Sequence, residues 1–206
     1  MKQKFKTILS VLLASILLFM ISVFPAAAQT TTYKVVKGDS MWKIAVRYQV
    51  GVSEIIAANP QITNPALIYP DQIITIPLPS ASVTAFEQEV VKLVNQTRKA
   101  HGLKELTINW QLARVARYKS QDMHDKRYFS HTSPTYGTPF TMIKNFGITY
   151  RTAGENIAMG YTTPRSVFDG WMNSSGHRAN ILNAGYTQIG VGFFEEGYYW
   201  TQMFIG

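Results

Sequence analysis

The side chains of this chain that can exchange protons or hold a ligand are few: four histidines, twelve carboxylates and no cysteine among 206 residues. His131 follows Phe129-Ser130, Glu155 sits in Gly154-Glu155-Asn156, and His177 lies in Ser175-Gly176-His177-Arg178, so the three are 24 and 22 residues apart. An imidazole titrates near neutral pH, and a carboxylate beside it can hold it charged, so acid–base or hydrogen-bonding chemistry is open to them. The plainer role is structural, with His131 tying down the loop around Thr132-Ser133-Pro134 and Glu155 bonding an imidazole. Ser174 and Ser175 adjoin His177, but nucleophilic catalysis needs a geometry that spacing does not supply. The sequence contains no cysteine nucleophile, GxSxG elbow, HExxH helix or P-loop. His101, beside Gly102, reads as a cation capping a helix end, and His124 as a helix-surface residue.

The elements that must position these residues fall into two groups on either side of Pro77–Thr84 (PLPSASVT), a stretch with neither helical nor strand periodicity that reads as a linker over 78–83. Before it, Tyr33-Lys34-Val35-Val36 suits a short strand and Gly38-Asp39-Ser40 a turn into a helix with Trp42, Ile44, Ala45 and Tyr48 inward. Trp42 is expected in the core. Ser53 reads as the N-cap of a second helix burying Ile55, Ile56 and Ala58, and Ile73–Ile76 as a returning strand, which makes βααβ. After the linker, Thr84-x-x-Glu87 reads as a capping box opening a helix that stops at His101-Gly102. Helices follow over Trp110–Asp125, over Pro139–Phe146 and after Thr163-Pro164. Gln188–Phe194 and Tyr198–Ile205 form a terminal hairpin, so the fold class is α+β.

Residues 1–28 have the pattern of a signal peptide: Lys2, Lys4 and Lys6, an apolar run from Ile8 to Phe24, and Ala26-Ala27-Ala28. Cleavage is expected before Gln29, leaving no stable membrane insertion. Loss of three lysines takes the formal charge from +8 to +5. That modest excess suits an anionic wall, and the absence of a basic run interleaved with aromatics argues against nucleic acid as a partner. With no disulfides available, stability rests on one medium and one small apolar core.

YKVVKGDSMWKIAVRYQVGVSEIIAANP, followed by LIYPDQIITIP, resembles a LysM domain over residues 33–77. Met41 stands where leucine is commoner and Asp71 where glycine is common. The resemblance implies binding of N-acetylglucosamine polymers, peptidoglycan or chitin, between two loops. The contacts expected from them are Gly38, Asp39, Ser40 and Met41 in one and Asn64, Leu67, Ile68 and Tyr69 in the other. A glycine-rich turn presents backbone polar groups to acetamido groups, while the apolar side chains pack on a sugar face.

VNQTRKAHGLKEL, RYFSHTSP, GENIA and WMNSSGHRANILNAGYTQIGVGF, in that order, resemble the CAP (SCP, cysteine-rich secretory protein) family over residues 84–206. The resemblance implies an α-β-α sandwich with a central antiparallel sheet and a cleft formed by His131, Glu155 and His177. Ser174 occupies the place where the larger family often has a second glutamate. Two imidazoles and a carboxylate then form a sensible Zn2+ set with a position open to water. Arg178 and Asn180 are expected to anchor backbone below the cleft. The leading reading is a secreted wall-bound, or spore-envelope, binding protein. The alternatives are a metal-dependent peptidase or wall hydrolase using Glu155 as base, and a lipid-binding module.

Overall fold

The first module is held between two strands that pair end to end. The computed structural model describes residues 29–206; the expected signal peptide and its cleavage site lie outside the described residues. Strand β1 (Gln29–Lys34) pairs antiparallel with β2 (Ile73–Leu78), Gln29 facing Leu78 and Lys34 facing Ile73. Between them run helices α1 (Met41–Tyr48) and α2 (Val52–Ala57). Met41, Ile44 and Ala45 are buried on one face of α1. That is the i, i+3, i+4 set of an amphipathic helix, and Trp42, one residue out of phase, points away and is 56% exposed. The expectation of a core Trp42 is therefore corrected: the stripe is anchored on Met41. For the same reason Met41 belongs to the core and not to a sugar-contacting surface. The cap of α2 is Gly51, not Ser53, and Ile56 faces outward while Ile55 is fully buried.

Asn59 stitches this small core together. Its side-chain amide donates to Ile55 O and Thr75 O, both at 2.7 Å, and its carbonyl accepts from Thr75 N at 2.8 Å. Asn59→Ala leaves buried backbone groups of β2 unpaired, at a cost of about 2 to 3 kcal/mol. In a core this small, the expected outcome is rapid hydrogen exchange at the Thr75 amide, and exchange no faster than in the wild type would refute the role.

The second module begins with α3 (Ala81–Ala100), capped by Ser80, whose hydroxyl accepts from Val83 N. The expected box at Thr84 and Glu87 does not form, because Glu87 is buried and paired with Arg117 instead. Strand β3 (Thr107–Ile108), helices α4 (Trp110–Asp125) and α5 (Pro139–Asn145), strand β4 (Ala153–Met159), helices α6 (Pro164–Asn173) and α7 (Ser175–Ile181), and strands β5 (Gln188–Phe194) and β6 (Tyr199–Ile205) follow. The sheet order is β3-β5-β6-β4, antiparallel except for β3 alongside β5.

Alternation along the hairpin creates the layers. Ile189, Val191, Phe193, Trp200 and Phe204 face α3 and α6, meeting Val90, Val94, Val167 and Trp171. Met203 and Ile205 face the opposite way, onto Leu112, Val115 and Ala116 of α4 and Met142 and Ile143 of α5. The result is an α-β-α sandwich. On β5 the residues facing α4 are Gly190 and Gly192, where an added Cβ would run into the α4 backbone at Leu112–Ala113 and Ala116–Arg117. That close approach seats α4 directly on the sheet, so the residues at its C-terminal end reach the loop that carries His131.

Candidate functional site

His131 lies on the irregular segment between α4 and α5, Glu155 on β4, and His177 on α7. The structure brings His131 and Glu155 together, with the imidazole Nδ1 2.7 Å from Glu155 Oε1. The histidine side chain is 53% exposed and the glutamate 2%, so a buried carboxylate stands behind an accessible ring. Burial pushes the Glu155 carboxyl up, against the opposing pull of the His131 hydrogen bond and of the Lys119 and His131 charges. Its second oxygen, Oε2, is buried without a hydrogen-bond partner. His177 is pushed down, first by burial and then by the charge of His131, so the two imidazoles act on each other.

The loop bearing His131 is held from beneath by two charged residues that sequence reasoning missed. Lys119 is fully buried, and its Nζ donates to Ser130 O at 2.7 Å, His131 O at 2.9 Å and Tyr128 Oη at 3.0 Å. Burial pushes the Lys119 ammonium down, while Glu155 and Asp122 act in the other direction. Asp122 accepts from Tyr128, Ser133 and Thr135 hydroxyls, each at 2.6 Å. The signal was present in the sequence. Lys119 and Asp122 continue the stripe of Leu112, Val115, Ala116 and Met123, and charged residues inside an apolar stripe mark a paired polar network.

A cleft of about 390 Å³ opens beside this pair. Its walls include His131, Glu155 and Thr132, with Asn180 at one side and Phe140 offering a half-exposed ring. Asn180 donates to Glu155 O and to Asn156 Oδ1, which fastens α7 to β4. Arg178 reaches back to Met172 O, and Ser174, at the position where the larger family often has a second glutamate, ends α6 and caps α7. His101 caps α3 with Nδ1 at 2.9 Å from Thr97 O, and His124 contacts Asp125. Chemically the arrangement supplies an accessible imidazole nitrogen, an orphaned buried acceptor and an aromatic face.

The resemblance implies a divalent ion at this donor set. Among the described residues no three His, Cys, Asp or Glu side chains gather closely enough to hold one. Glu155 is buried and engaged by Nδ1 of His131, which fits a carboxylate that orients an imidazole better than a third ligand. Of the three expected ligands, His131 and Glu155 contact each other, and His177 is not among the residues lining that cleft.

The expected LysM contacts occupy one end of the β1–β2 ribbon. Gly38, Ser40, Asn64, Leu67 and Tyr69 are exposed, Leu67 by 51% and Tyr69 by 59%, while Asp39 and Ile68 are half-buried. Asp39 accepts from Tyr33 Oη at 2.7 Å and Val36 N at 3.0 Å, so its role is to shape the turn. Trp42 and Val36 are exposed as well.

Residues 91–204 match the cysteine-rich secretory protein family, CAP, and residues 33–77 match the LysM domain. Over 126 residues the chain is 60% identical to the uncharacterized protein YkwD of Bacillus subtilis strain 168, an overlap of 61% of this chain and 49% of YkwD. A 41-residue stretch, 20% of this chain and 11% of the relative, is 51% identical to the SpoIVD-associated factor A of the same organism. Among solved structures, an extracellular protein containing an SCP domain from Bacillus anthracis is similar at 35% identity and a TM-score of 0.58, covering 66% of this chain and 47% of that one. The chain thus spans about half the length of YkwD or less of the curated relatives it matches. Among the described residues, no helix is long and apolar enough to cross a membrane.

Proposed function

Since the chain belongs to the cysteine-rich secretory protein (CAP) family and carries a LysM domain, we propose that it is an exported, cell-wall-associated binding protein. The LysM module holds it on an N-acetylglucosamine polymer, peptidoglycan in the first instance, and the CAP cleft presents His131 and Glu155 to a second ligand. The observation that carries this reading is the exposed end of the LysM ribbon, where the apolar side chains of Leu67 and Tyr69 and the Gly38 turn are all open to solvent. Sugar rings need that combination, an apolar platform flanked by hydrogen-bonding groups.

In the cleft, the buried and unpartnered Oε2 of Glu155 supports a ligand that donates a hydrogen bond, since an unpaired buried acceptor has a desolvation cost that a donor removes. A divalent ion at His131 and His177 is the narrower form of the same proposal; when bound, it would supply Lewis acidity. This chain's own part is to fix the His131 ring through Glu155 and to hold His177 toward its neutral form by burial.

The test is sedimentation with purified peptidoglycan. The protein is expected to pellet, and Leu67→Ala with Tyr69→Ala to weaken binding about tenfold without unfolding the module. Equal pelleting of wild type and double variant would move the glycan contacts elsewhere. No pelleting of the wild type would end the wall-binding reading.

A further inference from the structure

Gly51 poses a question that its own backbone does not answer. Its φ of −79° and ψ of 150° are ordinary extended values that any residue adopts. It is nonetheless buried, and a Cβ placed on it would overlap the Glu54 carboxylate and the Arg114 guanidinium. Glu54 belongs to α2 of the first module and Arg114 to α4 of the second. A side chain from the other module therefore lies directly against this backbone, in the space that a side chain at 51 would take.

Arg114 is held on every side. Its Nε donates to Glu54 Oε1 at 2.5 Å, and its Nη2 to Glu54 Oε2 at 2.8 Å and Ser53 Oγ at 2.9 Å. The guanidinium carbon lies 5.2 Å from the ring centre of Tyr118 and 5.1 Å from that of Phe146, so a planar cation is backed by two aromatic rings and forked onto a carboxylate. The side chains of Arg114 and Glu54 are 21% and 26% exposed.

The covalent connection is also short. Strand β2 ends at Leu78 and α3 begins at Ala81, leaving only Pro79, with its fixed φ, and Ser80, which is consumed as the N-cap of α3. The stretch expected to be a linker over 78–83 has no slack: residues 81–83 are the first turn of a helix. Around the clamp lie two hollows of about 430 and 230 Å³, one between Tyr48 and Pro79 on one side and Trp110 and Arg117 on the other. Among the described residues no buried apolar cluster spans the two modules, so little apolar packing shares the work with Arg114.

We propose that the LysM module is docked on helix α4 of the CAP domain by the clamp of Arg114 with Glu54 and Ser53 across Gly51, so that the two modules move as one body. The register of the ribbon orients the assembly. Gln29 and Leu78 lie at the docked end, and the turns at Gly38 and Asn64–Tyr69 spring from the Lys34–Ile73 end. Docking leaves those turns free. On the glycan-binding reading above, a bound strand would then set the attitude of the CAP cleft, which a flexible tether could not do; the docking itself does not depend on that reading.

Nitrogen-15 relaxation of the processed, labelled protein reports the tumbling of each module separately. The wild type is expected to show one correlation time for both modules. In Gly51→Ala and in Arg114→Ala the correlation time of the LysM amides should fall by about half, to that of a small body on a short tether, with their chemical-shift dispersion kept. If Gly51→Ala collapses the LysM spectrum, Arg114→Ala, which alters only the other module, decides. Two correlation times in the wild type, or one shared time persisting in Arg114→Ala, overturns the proposal. Peptidoglycan sedimentation is a separate readout, so loss of glycan binding in the wild type would leave the relaxation result standing.

Discussion

Asp122→Ala is expected to destabilise the CAP domain by about 3 to 5 kcal/mol, the usual cost of removing one partner from a buried charge network. The side chain is among the buried ones, and three hydroxyls, from Tyr128, Ser133 and Thr135, lose their acceptor at once. Ser133 also accepts from Thr135 N and Tyr136 N, so the turn beyond His131 loosens with it. A thermal midpoint lowered by roughly 10 °C is the expected reading for a domain of this size. The sign with pH follows from the same contacts. Burial pushes the Asp122 carboxyl up, but the hydroxyls of Ser133, Thr135 and Tyr128 together outweigh it and leave it below its ordinary value. A carboxylate depressed in the folded state contributes stability above its unfolded value of ~3.9 and loses it as pH falls through the folded value. The wild type should therefore lose stability more steeply below about pH 4 than Asp122→Ala does. Equal acid slopes, or a midpoint shift of only a degree or two, would show that the network does not hold the loop.

Zinc titration should separate the roles of His131, Glu155 and His177. The wild type is expected to bind one ion weakly through the His131 and His177 imidazoles. Either histidine replaced by alanine should abolish saturable binding. Glu155→Gln should weaken it 10- to 100-fold while leaving both ligands in place, the effect expected of a carboxylate that orients a ligating ring. Because coordination needs neutral imidazoles, affinity should fall as acid protonates them, and binding at acid pH should release those protons. Calorimetry in two buffers of different ionisation heat checks both statements. If no saturable heat appears, or if His131→Ala and His177→Ala bind as the wild type does, the ion is not the ligand of this cleft. The hydrogen-bond-donating ligand suggested by the orphaned Glu155 Oε2 would then remain as the reading to pursue.

Periodicity made much of the fold legible. The α4 stripe of Leu112, Val115, Ala116 and Met123 repeats at helical spacing, and its ends fall at Trp110 and Asp125 as expected. The terminal hairpin was legible as two strands, but both of its faces are buried, so residue type alone does not assign them to layers. Errors came where local chemistry offered two solutions. Trp42 and Met41 both suit a helix facing a core, and a shift of one residue moves the stripe by about 100°. Thr84 and Glu87 have capping-box spacing, but Ser80 begins the helix a turn earlier and Glu87 serves Arg117. Strand β4 and helix α7, which carry Glu155 and His177, were not assigned as elements because short buried strands and one-turn-scale helices leave little periodic signal.

The sequence by itself determined that there are two modules and what families they resemble; the expectation of a cleft at His131, Glu155 and His177 came from that resemblance. Residue types and their order carry that information, because apolar periodicity and motif spacing are local. Tertiary structure decided the rest. It placed His131 against Glu155 across 24 residues, left one carboxylate oxygen buried and unpaired, and put Lys119 and Asp122 beneath the loop. It also set Arg114 over Gly51, a contact between residues 63 positions apart whose partners in sequence show only an arginine on a helix and a glycine in a turn. Distances of that kind depend on how the layers stack, and stacking is settled by the whole core at once.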